Sequence, residues 1–262
     1  MFDIIIDFFT NDFYGYNLLQ FIILFIIGLA VGFINVIAGG GSVFVLPFLI
    51  FMGLDTTTAN GTNRLGIFMQ TFSAVRTYKK EFIDEYSLSW KMSIITIPGA
   101  IIGTLAAVRI TGEVFEFILG LVMIFVMLSM VFNLKISNVK EELMKMPFIM
   151  YPVMFLIGFY GGFIQVGIGF ILMYAVNKIL HKNLVKTNFH KSFIVMIYTI
   201  PSLLIFIFNG NLNLLLGLIL GIGSSLGSYI AVKVSISKGE KIIKPVLLIS
   251  MLLIALKLLK VY

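Results

Sequence analysis

Three consecutive glycines and a serine, Gly39-Gly40-Gly41-Ser42, join the end of one apolar stretch to the start of another. Glycine is the residue least able to hold a helix together, so this run predicts a break. A break in lipid frees backbone N–H and C=O groups, which survive only in a protein-lined or watered cavity. Glycines leading into a short helix aim free N–H groups and a positive helix end at a bound anion. Ser42 can cap that helix or donate to the ligand. Close helix packing is the competing use of such small residues. Further on, Thr62-Asn63-Arg64 sets two neutral hydrogen-bonding side chains beside an arginine at the edge of an apolar segment. An arginine inside a membrane costs roughly 2.5–3.5 kcal/mol on insertion scales and needs a partner or water. Its planar fork suits the oxygens of an oxyanion. An ion pair with Asp55 and extension toward the headgroups are its alternatives.

A fainter version of the same pattern lies in the second half. Gly28, Gly32, Asn35 and Gly39 recur 130 residues later as Gly158, Gly162, Gln165 and Gly169, with Gly167 in the second break. Asn35 and Gln165 are amides on apolar helices, and such groups must be hydrogen-bonded; they brace the broken backbone or touch the ligand. Gly61-Thr62-Asn63 lines up with Lys186-Thr187-Asn188, and residues 98–110 with 222–234, at offsets of 125 and 124. Asn188, His190 and Lys191 follow. His190 is a candidate for proton coupling, because histidine titrates near neutral pH; a merely interfacial histidine is the alternative. His181, in a lysine-rich loop, reads as solvated.

The elements that must position these residues follow from composition. The chain has 262 residues, 60% hydrophobic and 12% charged, with mean hydropathy +1.07. A soluble domain carries about 25% charge and 45–50% apolar residues, so the chain reads as an all-α polytopic membrane protein. It has no cysteine, which excludes disulfides, thiolate metal sites and cysteine nucleophiles. The net charge of +7 marks cytoplasmic loops rather than nucleic-acid binding. The acidic first 16 residues lack a secretory signal's positive start, and the segment is expected to be retained.

Hydropathy predicts eight long segments, about 18–38, 62–80, 88–110, 114–133, 148–168, 189–208, 212–234 and 241–261. Two short ones lie at 42–53 and 170–180. The short pieces cover about half of a hydrocarbon core of about 30 Å. The chain thus divides into a first membrane repeat at 1–134, a charged cytoplasmic linker at 135–147 and a second membrane repeat at 148–262. If the short segments cross, the repeats are inverted. The inside face then gathers all of the 19 Lys and Arg except Arg64, Arg109, Lys257 and Lys260. If they turn back, the positive charges divide almost evenly, so the positive-inside rule favours crossing. Paired broken helices at matching places in two halves mark a transporter's binding site.

The run G-F-I-N-x-I-A-G-G-G-S-x-x-x-L-P, followed by A-N-G-T-N-R, resembles the TauE/SafE family of membrane transporters, the sulfite exporter or toluene sulfonate uptake permease family. The second half agrees in G-F-Y-G-G-F-x-x-V-G-I-G-F and K-T-N-F-H-K. The sequence departs from that family where Arg64 replaces a frequent lysine and where the second break keeps only Gly167 and Gly169. The resemblance implies a multi-pass inner-membrane permease or exporter of small anions: sulfite, sulfonates and related organosulfur acids. The residues themselves make Asn35, Gly39, Gly40, Gly41, Ser42, Thr62, Asn63, Arg64, Gln165, Gly167, Gly169, Thr187, Asn188 and Lys191 the candidates for substrate contact. Carriers of carboxylates and anion channels share this pattern, and the direction of transport is open. No P-loop and no H-E-x-x-H occurs, so neither an ATP-driven pump nor a zinc protease is expected. No cofactor, metal or nucleic-acid partner is expected either. The expected partners are a small anion and the lipid bilayer, and small-residue faces are available for a homodimer.

Overall fold

The computed structural model describes residues 12–13, 15–79, 81–110, 113–114, 117–118, 121 and 146–239. The expected spans at 114–133 and 241–261 and the linker at 135–147 lie largely outside the described residues. The described chain is helical apart from a two-stranded antiparallel ribbon, β1 (Asp12–Phe13) and β2 (Tyr16–Asn17). Asn17 then starts α1 (Leu18–Ile37) with a reciprocal capping box. Its side chain accepts from Gln20 N–H while its own N–H donates to Gln20 Oε1, both at 2.9 Å.

The helices that follow are α2 (Ser42–Phe51), α3 (Thr56–Tyr78), α4 (Tyr86–Arg109, after a 3-10 turn at Ile83–Glu85), α5 (Met150–Phe163), α6 (Ile168–Leu180), α7 (Leu184–Phe208) and α8 (Leu214–Lys238). Four are long and apolar enough to cross a membrane: α1, α4 with its leading turn, α7 and α8. The expected segment 62–80 is part of a 23-residue helix that begins earlier, at Thr56, and its head TTTANGTN is polar. The expected span 148–168 is cut at Phe163, leaving an α5 of 14 residues. The short helices α2 and α6 have 10 and 13 residues. At 1.5 Å per residue they extend about 15 and 20 Å, less than the roughly 30 Å of a bilayer core.

The two halves interlock. From the first half, α1 and α3 pack on α8; from the second, α5 and α7 pack on α4; α3 and α7 meet at the centre. Small residues make the close contacts, as they do between membrane helices. On α1, Gly28 and Gly32 lie against the backbone of Leu220 and Ser224, and Gly223 and Gly227 of α8 return the contact against Phe25 and Leu29. The same arrangement joins α4 to α5. There Gly99 and Gly103 meet Phe155 and Phe159, while Gly158 and Gly162 meet Thr96 and Ala100. Hydroxyls stitch the seams. Ser228 Oγ donates to Gln70 O at 2.8 Å between α8 and α3, and Thr104 Oγ1 donates to Gly162 O at 2.9 Å between α4 and α5. Large apolar side chains such as Ile26, Ile94, Leu156 and Ile222 face outward, at least half exposed. That is the exterior a protein presents to lipid rather than to water.

Candidate functional site

The break after α1 is held by the amide that precedes it. Asn35 Oδ1 accepts the Gly41 N–H at 2.6 Å, and Asn35 Nδ2 donates to Gln70 Oε1 at 3.1 Å. One orphan N–H at the head of α2 is thereby satisfied by a side chain. Gly39 turns with φ +100°, a conformation that glycine adopts at little cost. The second break is built in parallel. Gln165 sits in the left-handed region at φ +66°, Gly167 at φ +71° caps α6, and Gln165 Nε2 reaches Tyr198 Oη and Thr199 Oγ1, both at 3.3 Å. Tyr160, on α5, closes the turn by donating its hydroxyl to Val166 O. The two breaks touch backbone to backbone at Gly39 and Gly169.

Between them is a cavity of about 30 Å³, room on the scale of one or two waters. Of the expected site residues, Asn35, Gly39, Ser42, Gln165, Gly169 and Lys191 line it. Ile67, Gln70 and Thr71 of α3 and Ile168, Ser192 and Val195 complete the wall. The heads of both short helices therefore open on one space, and both carry the partial positive charge of a helix start. Lys191, 3% exposed, adds an amine head with N–H donors. Its Nζ donates to Val36 O and Asn188 Oδ1, both at 2.7 Å. Asn188 Nδ2 in turn donates to Ile37 O at 3.3 Å. Cation and amide together satisfy the carboxyl end of α1, where a helix carries negative partial charge.

Arg64 does not line this cavity. It is fully buried, and it serves α5 as Lys191 serves α1. Nη1 donates to Gly161 O at 2.9 Å, Nη2 to Gly162 O at 2.5 Å and to Phe163 O at 3.4 Å, and the guanidinium stands 4.9 Å from the Phe206 ring centroid. The alternatives of an Asp55 pair and of reach toward headgroups are both corrected. Asp55 instead caps α3, accepting from Thr57 and Thr58 N–H, and no part of Arg64 is exposed. The carbonyls left over by the second helix break are strong acceptors buried away from water, and they take the cation.

The remaining expected residues lie nearby. Gly40 and Gly41 are buried in the first break. Asn63, buried beside Asn35, Gln70 and Ser224, faces a second, smaller space. Thr62 Oγ1 accepts the Asn213 N–H at 2.9 Å, and Thr187 Oγ1 donates to Lys182 O at 3.2 Å; both tie helices to loops. The alignment of Asn63 with Asn188 is also corrected. Asp55 and Asn183 cap α3 and α7, and aligned on those caps Asn60 falls opposite Asn188. Their bonds agree, since Asn60 Nδ2 donates to Phe163 O at 2.9 Å, at the end of α5.

His190 lies apart from the cavity in a buried polar cluster. Its Nδ1 is 2.7 Å from Ser89 Oγ, and its Nε2 is 3.2 Å from Glu85 Oε2. Glu85 Oε1 also accepts from Lys182 Nζ at 2.9 Å and pairs with Lys186 at 3.3 Å. Glu85 and Lys182 were absent from the expected site. A carboxylate at a segment end and a lysine in a loop look solvated in sequence, and only the packing of α4 against α7 brings them together.

The model of the family "Sulfite exporter TauE/SafE" matches residues 24–258. A Sinorhizobium protein named a probable membrane transporter, ORF9, is 29% identical over 246 residues, covering 94% of each chain. A Haemophilus influenzae protein named a probable membrane transporter is 26% identical, covering 90% of this chain and 93% of its own. The Escherichia coli K12 probable membrane transporter YfcA is 27% identical, covering 90% and 88%. No solved structure matches. With nearly the whole chain matched and the paired helix breaks in place, this protein belongs to the TauE/SafE family of membrane transporters.

Proposed function

We propose that the chain is a secondary carrier of small anions in the inner membrane, with sulfite, sulfonates or related organosulfur acids as substrates. The single observation that carries this reading is the meeting of the α2 and α6 heads with Lys191 around one cavity. Helix starts and an ammonium favour negative charge, and among the described residues no carboxylate stands in that lining. The cavity is smaller than a polyatomic anion, so substrate entry requires the two short helices to separate. The carrier has two inverted repeats, 1–134 and 148–262, joined by a cytoplasmic linker at 135–147. The matched glycine contacts, amide braces and buried cations of the two halves support that division.

A thermal-stability screen of the purified protein tests the substrate class. Sulfite, thiosulfate, sulfoacetate, taurine, sulfate, acetate and lactate are added in turn. A ligand that binds only the folded state stabilises it by about 2.7 kcal/mol at a hundred times its Kd. A rise in midpoint with a sulfur anion is the expected result. A rise with acetate or lactate alone would make the chain a carboxylate carrier.

His190 is the proposed proton-coupling residue. It is bonded to Glu85 on one ring nitrogen and to Ser89 on the other, and imidazole passes protons between two such partners. Vesicles with His190→Gln should still take up anion down its own gradient but no longer respond to an imposed pH gradient. An unchanged response would remove His190 from coupling.

A further inference from the structure

This inference rests on the anion-carrier reading and concerns a residue that the sequence pattern passed over. Several polar side chains around the cavity are already committed. Thr71 and Ser192 spend their hydroxyl protons on Ile67 O and Asn188 O, at 2.7 and 2.8 Å. Asn35 is engaged on both sides, by Gly41 N–H at 2.6 Å and by Gln70 at 3.1 Å.

Gln70 differs, and its orientation is fixed by a chain of bonds that starts at the backbone. The oxygen and nitrogen of an amide are told apart only by their partners. A backbone N–H can only donate, so the Asn35 atom facing Gly41 is the oxygen. Asn35 then presents its NH2 group to Gln70, and the Gln70 atom that receives it is Oε1. Nε2 is left as the other arm, with two N–H donors. It makes no bond among the described residues, and unlike Asn63 Nδ2 it is not sealed from water. Gln70 borders two spaces. The one beside Asn63 has no room for a water, so the open donor faces the cavity between the two breaks.

We infer that Gln70 is an anion-binding residue, whose Nε2 donates to the ligand from α3 while Lys191 lines the same cavity from α7. The two central helices, one from each half, then each supply a side-chain donor beside the helix heads. A buried N–H donor without an acceptor is destabilising, and an anion in the cavity supplies the acceptor. The same amide holds the brace of the first break, so ligand and α2 head are joined through Gln70, Asn35 and Gly41.

The test replaces the donor and keeps the brace. In Gln70→Glu one carboxyl oxygen still accepts from Asn35, and the other stands where the amide nitrogen stood. Ionised, that oxygen repels an anion; protonated, it offers an O–H in place of the N–H. Binding of methanesulfonate and of nitrate, monoanions throughout, to the purified full chain is titrated at mildly acidic and at mildly alkaline pH. Lys191 is the only titratable side chain among the described lining residues, so each affinity is taken relative to the unmodified protein at the same pH. The expected result is binding about tenfold weaker or more in Gln70→Glu at alkaline pH, with much of the loss recovered at acidic pH. A residue that only braced Asn35 would show neither effect. Should the carboxyl variant fail to fold, Gln70→Met carries the test: it lacks the donor, cannot titrate, and should bind weaker by one factor at both pH values. Unchanged affinity of a folded Gln70→Glu or Gln70→Met protein would overturn the inference and leave Gln70 a brace, with the anion-carrier reading standing. Binding of neither anion by the unmodified protein would sink that reading, and this one with it.

Discussion

Lys191→Met should give a folded protein that no longer responds to anions, whereas Arg64→Leu should give one that folds poorly. Both residues are buried cations at the carboxyl end of a broken helix, yet only Lys191 lines the cavity. Methionine keeps most of the lysine stem and removes its charge. Truncating one member of a buried charge pair costs about 2–5 kcal/mol of binding, a loss of roughly thirtyfold or more. Stability should fall less, because Asn188 still satisfies Ile37 O. Arg64 supports three carbonyls, of Gly161, Gly162 and Phe163, and leucine leaves them with fewer donors in a dry interior. Bonds to charged groups contribute about 1.5–3 kcal/mol each, and losing several together should lower stability by about 3–5 kcal/mol. Arg64→Lys should recover part of that, since an ammonium reaches fewer of the three than the planar fork does. Anion-dependent melting of the variants reads both effects. The assignment is reversed if Lys191→Met keeps the anion response while a folded Arg64→Lys protein loses it.

The difference between these two cations shows what the sequence could reveal. A triple glycine and an amide one turn earlier are local signals; the first break formed at Gly39-Gly40-Gly41, and the second runs to Gly167, with Gly169 already in the first turn of α6. Arg64 was visible as a charge needing a partner, but its partners are backbone carbonyls nearly a hundred positions away. Every residue has a carbonyl, so no side-chain pattern marks the ones that a helix break leaves over. Gln70 and Thr71 were legible in principle. With Asn63 and Ile67 they lie on one face of α3, at the i, i+4, i+7, i+8 spacing, and a glutamine in mid-helix is rare in lipid. Starting the helix at residue 62 instead of Thr56 hid its polar character and its register with α7. The alignment of Asn63 with Asn188 followed from matching letters; the caps Asp55 and Asn183 show that the chain counts from the helix start. Glu85 and Lys182 were hidden by distance alone, since each is ordinary within its own segment.

Gly39→Ala should be damaging on two counts, a left-handed backbone and a backbone clash, and Gly53→Ala separates the two by contrast. The two glycines have nearly the same backbone, φ +100° and +96°. At Gly53 an added Cβ meets nothing within 4 Å, so alanine suffers only the left-handed penalty of roughly 1–2 kcal/mol. At Gly39 the same Cβ would lie 2.5 Å from both Gly169 C and Gly169 Cα. Those are backbone atoms at the head of α6, and they cannot rotate away as a side chain could. Overpacking adds about 1–3 kcal/mol, so Gly39→Ala should lose about 2–5 kcal/mol in all, against about 1–2 for Gly53→Ala. The clash also has a direction, because relieving it pushes the first break away from the second. A folded fraction of Gly39→Ala should therefore hold a larger cavity beside Lys191 and bind anion with a faster on-rate than the unmodified protein. Gly169→Ala, acting on the same contact from the other side, should reproduce both effects. Equal melting of the Gly39 and Gly53 variants would mean that the two breaks do not press on each other in the folded protein. The separation of the short helices would then not be resisted at that point.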